Sequence, residues 1–293
     1  MKKIYFIFCF ILLAINSFSL RLEKNNIVDK YGNKIEAKEY KRILVTEPGV
    51  IEILFEINGD ENIIAIGKTS KSKIYPIEKV EQLESIGNIN NMNFEKLIEY
   101  KPDLVVVNSM MLRDVEKIKS MGYKVIVSTA SKLDEIIDLI EILGIITAEE
   151  KNSENLKEKS LKKLDLIKNN SSKISNLKGA VVFSTSPMMT FPLDSLPGDV
   201  LKHLGVKNIA EGVKGDRPIL SPEYLLKENP DFLVGAMSLD DPKQILEASN
   251  VVPKTKAGKN NNIFILDSSS ILRSSHRIFD EMEKLKDKLE KIN

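Results

Sequence analysis

One pattern occurs twice in this chain, and the spacing of its copies constrains the fold more than any other feature. The first copy is Asn93-Phe94-Glu95-Lys96-Leu97-Ile98-Glu99-Tyr100-Lys101-Pro102-Asp103, followed by the aliphatic run Leu104-Val105-Val106-Val107 and then Asn108. The second is Ser221-Pro222-Glu223-Tyr224-Leu225-Leu226-Lys227-Glu228-Asn229-Pro230-Asp231, followed by Phe232-Leu233-Val234. Each reads as a short helix running into a buried parallel strand. Asn93 and Ser221 are N-cap residues, and Glu95 and Glu223 sit in the first turn, near the positive end of the helix dipole. The proline drives the residue before it out of helical geometry, and the aliphatic run suits a strand covered on both faces. The offset is a constant 128 residues (223 − 95 and 230 − 102). Solenoid repeats recur every ~20–50 residues, so this repeat has the size of a whole lobe. Two similar α/β halves are expected, each presenting one glutamate in an equivalent place.

The rest of the chain alternates strand and helix signals around this frame. A hairpin is expected around Tyr31-Gly32-Asn33, then a strand from Arg42 to Thr46 and a helix opened by Pro48-Gly49. A helix from Lys132 to Leu143 is expected to close at Gly144. Thr147-Ala148-Glu149-Glu150 reads as a capping box that starts a charged helix running to about Asn169. Its sparse apolar residues keep helical spacing, which suits a rigid strut between lobes; the other reading is a surface helix of one larger domain. The second lobe restarts with a strand from Gly179 to Ser184 and ends in a helix from about Arg277. The expected fold is α/β: two similar lobes with mainly parallel sheets, joined by a single long α-helix. The expected boundaries are a signal peptide over 1–19, a first lobe over 20–146, a linker helix over 147–170 and a second lobe over 171–293.

Composition narrows the function. The 293 residues carry 43 Lys and Arg against 42 Asp and Glu, a formal charge of +1. That balance lacks the basic surplus of a nucleic-acid binder. Lys2 and Lys3, the apolar run Ile4 to Ile15 and Ser17-Phe18-Ser19 have the order of a cleaved export signal. The apolar run is shorter than the ~20 residues a spanning helix needs. The only cysteine, Cys9, lies inside that run rather than at a cleavage point after small residues, so no lipid anchor is expected. The 274 residues that remain (293 − 19) have no cysteine, suit an oxidising periplasm, and are enough for two cores. No phosphate loop, nucleophile elbow or metal-ligand triad is evident, which leaves an exported enzyme working in the same cleft as the reading from another class.

Taken in order, these fragments resemble the periplasmic-binding family that serves ABC importers for ferric siderophores, haem and cobalamin. The likeness runs through Ile27-Val28-Asp29 and Gly32, Arg42-Ile43-Leu44 to Glu52-Ile53-Leu54, Gly87, and Asn93 to Asp103. In the second lobe it takes in Gly198-Asp199-Val200-Leu201 to Gly205, Asn208-Ile209-Ala210, and Ser221 to Asp231. The resemblance implies a monomeric carrier with no catalysis and no resident cofactor. Such a carrier captures a metal chelate between its lobes and delivers it to a permease dimer in the inner membrane. It further implies that Glu95 and Glu223 dock to the permease; a helix-dipole role, worth ~0.3–1 kcal/mol, is the alternative.

Ligands of open α/β sheets bind outside the carboxyl ends of the strands. Five of the nine methionines fall at such ends: Met110, Met111, Met188, Met189 and Met237. They either line a cleft for a large irregular ligand or fill gaps beneath loops. Tyr75 matches a loop that often touches ligand in the family, where it either stacks on a macrocycle or binds ferric iron, or else is an idle loop residue. Arg217 and Arg273 are candidates for pairing with carboxylates of the cargo. His276 is either an axial haem ligand or a solvated first-turn histidine. Two histidines in all are too few for a bare zinc site of the usual kind, so the metal is expected to arrive already chelated, with no metal held by the protein itself. Cobalamin is the alternative cargo to an iron chelate.

Overall fold

The computed structural model describes residues 18–169 and 172–292. Most of the proposed signal segment, including Cys9, therefore lies outside the described residues. Three leading strands, β1 (Leu20–Glu23), β2 (Asn26–Asp29) and β3 (Lys34–Glu36), form an antiparallel sheet in the order β1-β2-β3. Asp29 is buried at its turn and accepts hydrogen bonds from the backbone of Tyr31, Asn33 and, across the lobe, Val127.

Behind the hairpin stands a six-stranded sheet. Its strands are β4 (Ile43–Val45), β5 (Ile63–Lys68), β6 (Ser85–Asn88), β7 (Asn91–Met92), β8 (Leu104–Val107) and β9 (Val125–Val127). Their order is β7-β6-β5-β4-β8-β9, and every pairing is parallel except β6 with β7. The second lobe has its own sheet of β10 (Lys178–Thr185), β11 (Met188–Thr190), β12 (Lys207–Asn208), β13 (Phe232–Gly235) and β14 (Ile263–Ile265). The order there is β11-β10-β13-β14, with β12 also on β10, and only β10 with β11 is antiparallel. The two sheets do not pair with each other. The molecule is thus two mainly parallel α/β lobes with a seam between them.

The repeated pattern folds identically in both. The helix Phe94–Tyr100 is capped by Asn93 Oδ1, which accepts from the amides of Glu95 (2.9 Å) and Lys96 (3.1 Å). The helix Pro222–Glu228 is capped by Ser221 Oγ, which accepts from Tyr224 N at 3.1 Å. Both end on a left-handed residue, Lys101 and Asn229, each with φ 46°. The aspartate after each proline then stitches the neighbouring strand. Asp103 accepts from the amides of Lys41 and Arg42 at the approach to β4, and Asp231 from that of Lys178, the first residue of β10.

Two helices carry the chain between the lobes. The helix Leu133–Thr147 does not stop at Gly144, as the sequence suggested, but runs a turn further to a left-handed Ala148. Thr147 is consequently inside that helix, its hydroxyl donating to Leu143 O, and does not act as the N-cap expected of it. Gly144 is small for another reason: a Cβ there would lie 2.0 Å from Ser153 Oγ on the next helix. That helix, Glu150–Asn169, is the long one, and it buries Leu156, Leu164 and Ile167 rather than standing free. The terminal helix Arg277–Leu289 returns to it, joined by an ion pair between Lys163 and Asp280. One apolar core runs through both lobes and these helices, from Ile51 and Leu54 to Val200, Phe232 and Phe279, and each lobe adds a cluster of its own, around Val105 and Ile118 in the first and around Leu233 and Ile245 in the second. The lobes are distinct as sheets and share only the larger core, because helices of both lobes pack against one another there.

Candidate ligand-binding cleft

The seam opens into a cleft of about 550 Å³. The first lobe contributes Glu47 and Pro48 at the carboxyl end of β4, together with Lys71, Ser72 and Ile89. The second contributes Met237 and Ser238 beyond β13, Ser268 beyond β14, and Leu272 with Arg273. The volume falls within the range of ~300–1,000 Å³ typical of small-molecule sites, and the position is where parallel sheets place their ligands. Met237 holds a left-handed conformation (φ 62°) that is uncommon for a residue with a side chain, and its side chain is exposed on the wall.

An ion pair joins the two lobes at Arg273. Arg273 is only 7% exposed; its Nη1 donates to Glu52 Oε1 at 2.5 Å and to Lys73 O at 2.6 Å, and its Nη2 donates to Ser72 Oγ at 2.9 Å. Ser274 Oγ donates to Ala130 O at 2.6 Å, and Asp199 of the second lobe accepts from Leu133 N at 2.9 Å, at the start of the helix Leu133–Thr147. A Cβ on Gly49 would meet Ser274 O at 2.4 Å, so the backbones of the two lobes touch there. These contacts leave little slack between the lobes.

The structure disperses the candidate ligand residues. Met237 and Arg273 line the cleft, although the Arg273 guanidinium is held by the protein itself. Met110 is exposed on the turn after β8 and is not part of the cleft wall, whereas Met111 of the same turn points inward and is fully buried. Met188 is buried and Met189 half-buried, because they alternate along β11. Met111 and Met188 are therefore core residues and not ligand contacts. Arg217 is exposed and is not part of the cleft wall. Tyr75 and His276 line a second cavity of about 400 Å³, with Glu56, Lys159 and Arg277. There the Arg277 guanidinium lies 3.7 Å over the Tyr75 ring. The His276 ring is largely buried 3.7 Å from Glu56, and burial, reinforced by Arg277, Lys159 and Lys163, lowers its pKa to about 4.

Glu47 belongs to the strand end Thr46-Glu47-Pro48, one of those at which a ligand is expected from the sequence, although no role is expected of the residue itself. Its Oε1 accepts from Gly49 N at 3.2 Å, which makes it the N-cap of the helix Pro48–Glu56. Burial against the apolar wall raises its pKa to about 7, against the opposing pull of the Gly49 amide and Arg273. An acid placed between a buried strand and a Pro-Gly helix start was the available signal, and it concerned position rather than residue type. Among the described residues no three His, Cys, Asp or Glu side chains converge as a metal-binding set.

A family model described as periplasmic binding protein matches residues 43–270. The chain belongs to that family. Its members are solute-binding proteins of transport systems, not enzymes. One relative, an uncharacterized ABC transporter substrate-binding lipoprotein of Bacillus subtilis, is 26% identical over 260 residues, covering 85% of this chain and 79% of its own. A vitamin B12-binding protein of Vibrio vulnificus is 24% identical over 201 residues, covering 68% and 72% respectively. Among solved structures, a possible iron-binding periplasmic solute-binding protein of Staphylococcus epidermidis superposes with a TM-score of 0.74 at 26% identity, covering 86% of this chain and 99% of that one.

In this periplasmic binding protein the repeated pattern can be divided by role. Its caps, left-handed residues and aspartates all have structural partners. Glu95 and Glu223 do not: both are exposed, and neither carboxylate has a hydrogen-bond or ion-pair partner among the described residues.

Proposed function

We propose that this periplasmic binding protein captures an iron chelate, a siderophore or haem, in the interlobe cleft and delivers it to the permease of an ABC importer. The observation that carries the reading is the cleft itself, built by strand ends of both lobes and walled by Pro48, Ile89, Met237 and Leu272. No ligand set for a bare ion accompanies it among the described residues, so the metal comes wrapped in its own organic ligand. The protein holds no resident cofactor and works as a monomer. Glu95 and Glu223 dock to arginines of a twofold permease, where charge complementarity sets register and speeds the encounter. The relatives named for vitamin B12 favour cobalamin as the second reading. Residues 1–19 act as a cleaved export signal, without a lipid anchor at Cys9. Among the described residues no helix is long and apolar enough to cross a membrane.

The test is a titration of the purified protein with haem, a panel of ferric siderophores and cobalamin, followed by ligand absorbance and tyrosine fluorescence. Saturable one-to-one binding of an iron chelate, without its consumption, is expected. Binding of cobalamin alone selects the second reading, and chemical turnover of any of these ligands overturns both.

A further inference from the structure

The charges on the cleft wall are not arranged for an anionic cargo. Arg273, the one guanidinium there, is neutralised by buried Glu52, and its Nη1 and Nη2 also donate to Lys73 O and Ser72 Oγ. Lys71 is exposed, so water and salt screen it. Glu47 differs from both. It shares the wall with Pro48 and Ile89, and its single hydrogen bond, from Gly49 N, goes to Oε1. Oε2 has no protein partner among the described residues. Glu47 is half-buried, so a cargo that displaces water from it leaves the carboxylate short of donors unless the cargo brings its own, because the protein supplies only one. Burial already pulls it toward the protonated form, with Arg273, Glu52 and Lys71 as the charged groups nearby. A ligand that brings N–H donors completes this carboxylate, whereas one that brings carboxylates or catecholate oxygens adds like charge beside it.

We infer that Glu47 sets the cargo class of the cleft, selecting metal chelates of neutral or positive charge that present N–H donors and rejecting anionic ones. The inference rests on the carrier reading above and narrows it. Two sources supply this chemistry: the free ammonium of a linear ferric trihydroxamate and the peripheral carboxamides of a corrinoid. Haem, with its two propionates, and ferric tricatecholates fall outside the class.

The experiment measures affinities of the wild type and Glu47→Gln for five probes: an amine-bearing ferric trihydroxamate, its N-acetylated counterpart, cobalamin, haem and a ferric tricatecholate. Glutamine keeps an acceptor for the Gly49 amide while removing the charge. Glu47→Ser, which also keeps a cap, serves as a second variant should the first fold poorly. The wild type is expected to prefer the amine-bearing trihydroxamate or cobalamin. Loss of the charge is expected to weaken that preferred cargo about tenfold to hundredfold, the size of a lost charge-assisted hydrogen bond. If the trihydroxamate is preferred, acetylation costs the wild type a similar factor and costs the glutamine variant nothing further. Tightest wild-type binding of haem or the tricatecholate overturns the inference while leaving the carrier reading intact. So does an affinity for the preferred cargo that stays within about twofold in both variants. Failure of all five probes to bind the wild type overturns the carrier reading itself.

Discussion

His276 shows how far a residue's surroundings determine its role. In the sequence it was a histidine before a helix, open to ligation or to solvent. In the fold its ring is enclosed beside three cationic side chains, and its Nδ1 has no hydrogen-bond partner among the described residues. Its pKa is about 4 when folded, against an ordinary value near 6.5. Between those values the unfolded chain binds more protons, so the stability tied to His276 is present above about pH 6.5 and is lost as the pH falls toward 4. The loss amounts to about 3 kcal/mol at most. Glu47 acts with the opposite sign: its raised pKa makes folding less favourable as the pH rises from about 4.5 to 7. Thermal melts of wild type and His276→Gln at pH 7.5 and pH 4.5 separate the two effects. The drop in Tm on acidification is expected to be clearly smaller in the variant; an equal drop would mean that the ring is not buried as a neutral group.

At the scale of elements, the repeated helix and strand could be read from the sequence because each signal in it is local: a cap, a pre-proline stop and an aliphatic run. The link between the lobes could not be read in this way. Glycine marks helix ends and also marks close helix packing, and at Gly144 the second cause applied. Thr147 was likewise mistaken for a cap because its sequence context fits one, although the helix before it had not yet ended. Gly144→Ala tests the packing account directly, since the added methyl would lie 2.0 Å from Ser153 Oγ and 2.6 Å from its Cβ, so that the two helices must shift apart. A loss of about 1–3 kcal/mol is expected, seen as a Tm lowered by several degrees, with part of it restored by adding Ser153→Ala. A neutral or stabilising effect, as at an ordinary solvent-facing helix glycine, would contradict the contact.

At the scale of the whole molecule, the two lobes share one apolar core between them, and each keeps a smaller cluster of its own. Separating the lobes would break the Glu52–Arg273 pair and expose apolar side chains worth about 1.5–3 kcal/mol each, a large fraction of the ~5–15 kcal/mol that holds a domain folded. A carrier built in this way presents a nearly fixed surface to its partner, so the spacing of Glu95 and Glu223 is a property of the fold. Reversing both to arginine is expected to abolish transport in cells while leaving ligand affinity and Tm unchanged, because neither carboxylate has a partner within the chain. A fall in affinity would place the two glutamates in the ligand site instead.

The chain's local chemistry by itself determined the two-lobed α/β plan, the succession of helix and strand in each repeated unit and the exposed pair of glutamates, because caps, prolines and hydrophobic runs act over a few residues. Only the tertiary structure decided which side chains share the cleft. It seated Arg273 on Glu52 across 221 positions of sequence, turned Met111 and Met188 into the core, and set Glu47 on the wall. The physical reason is that burial and charge pairing depend on what folds against a residue from far away in the chain, and neighbouring residues in the sequence carry no record of that.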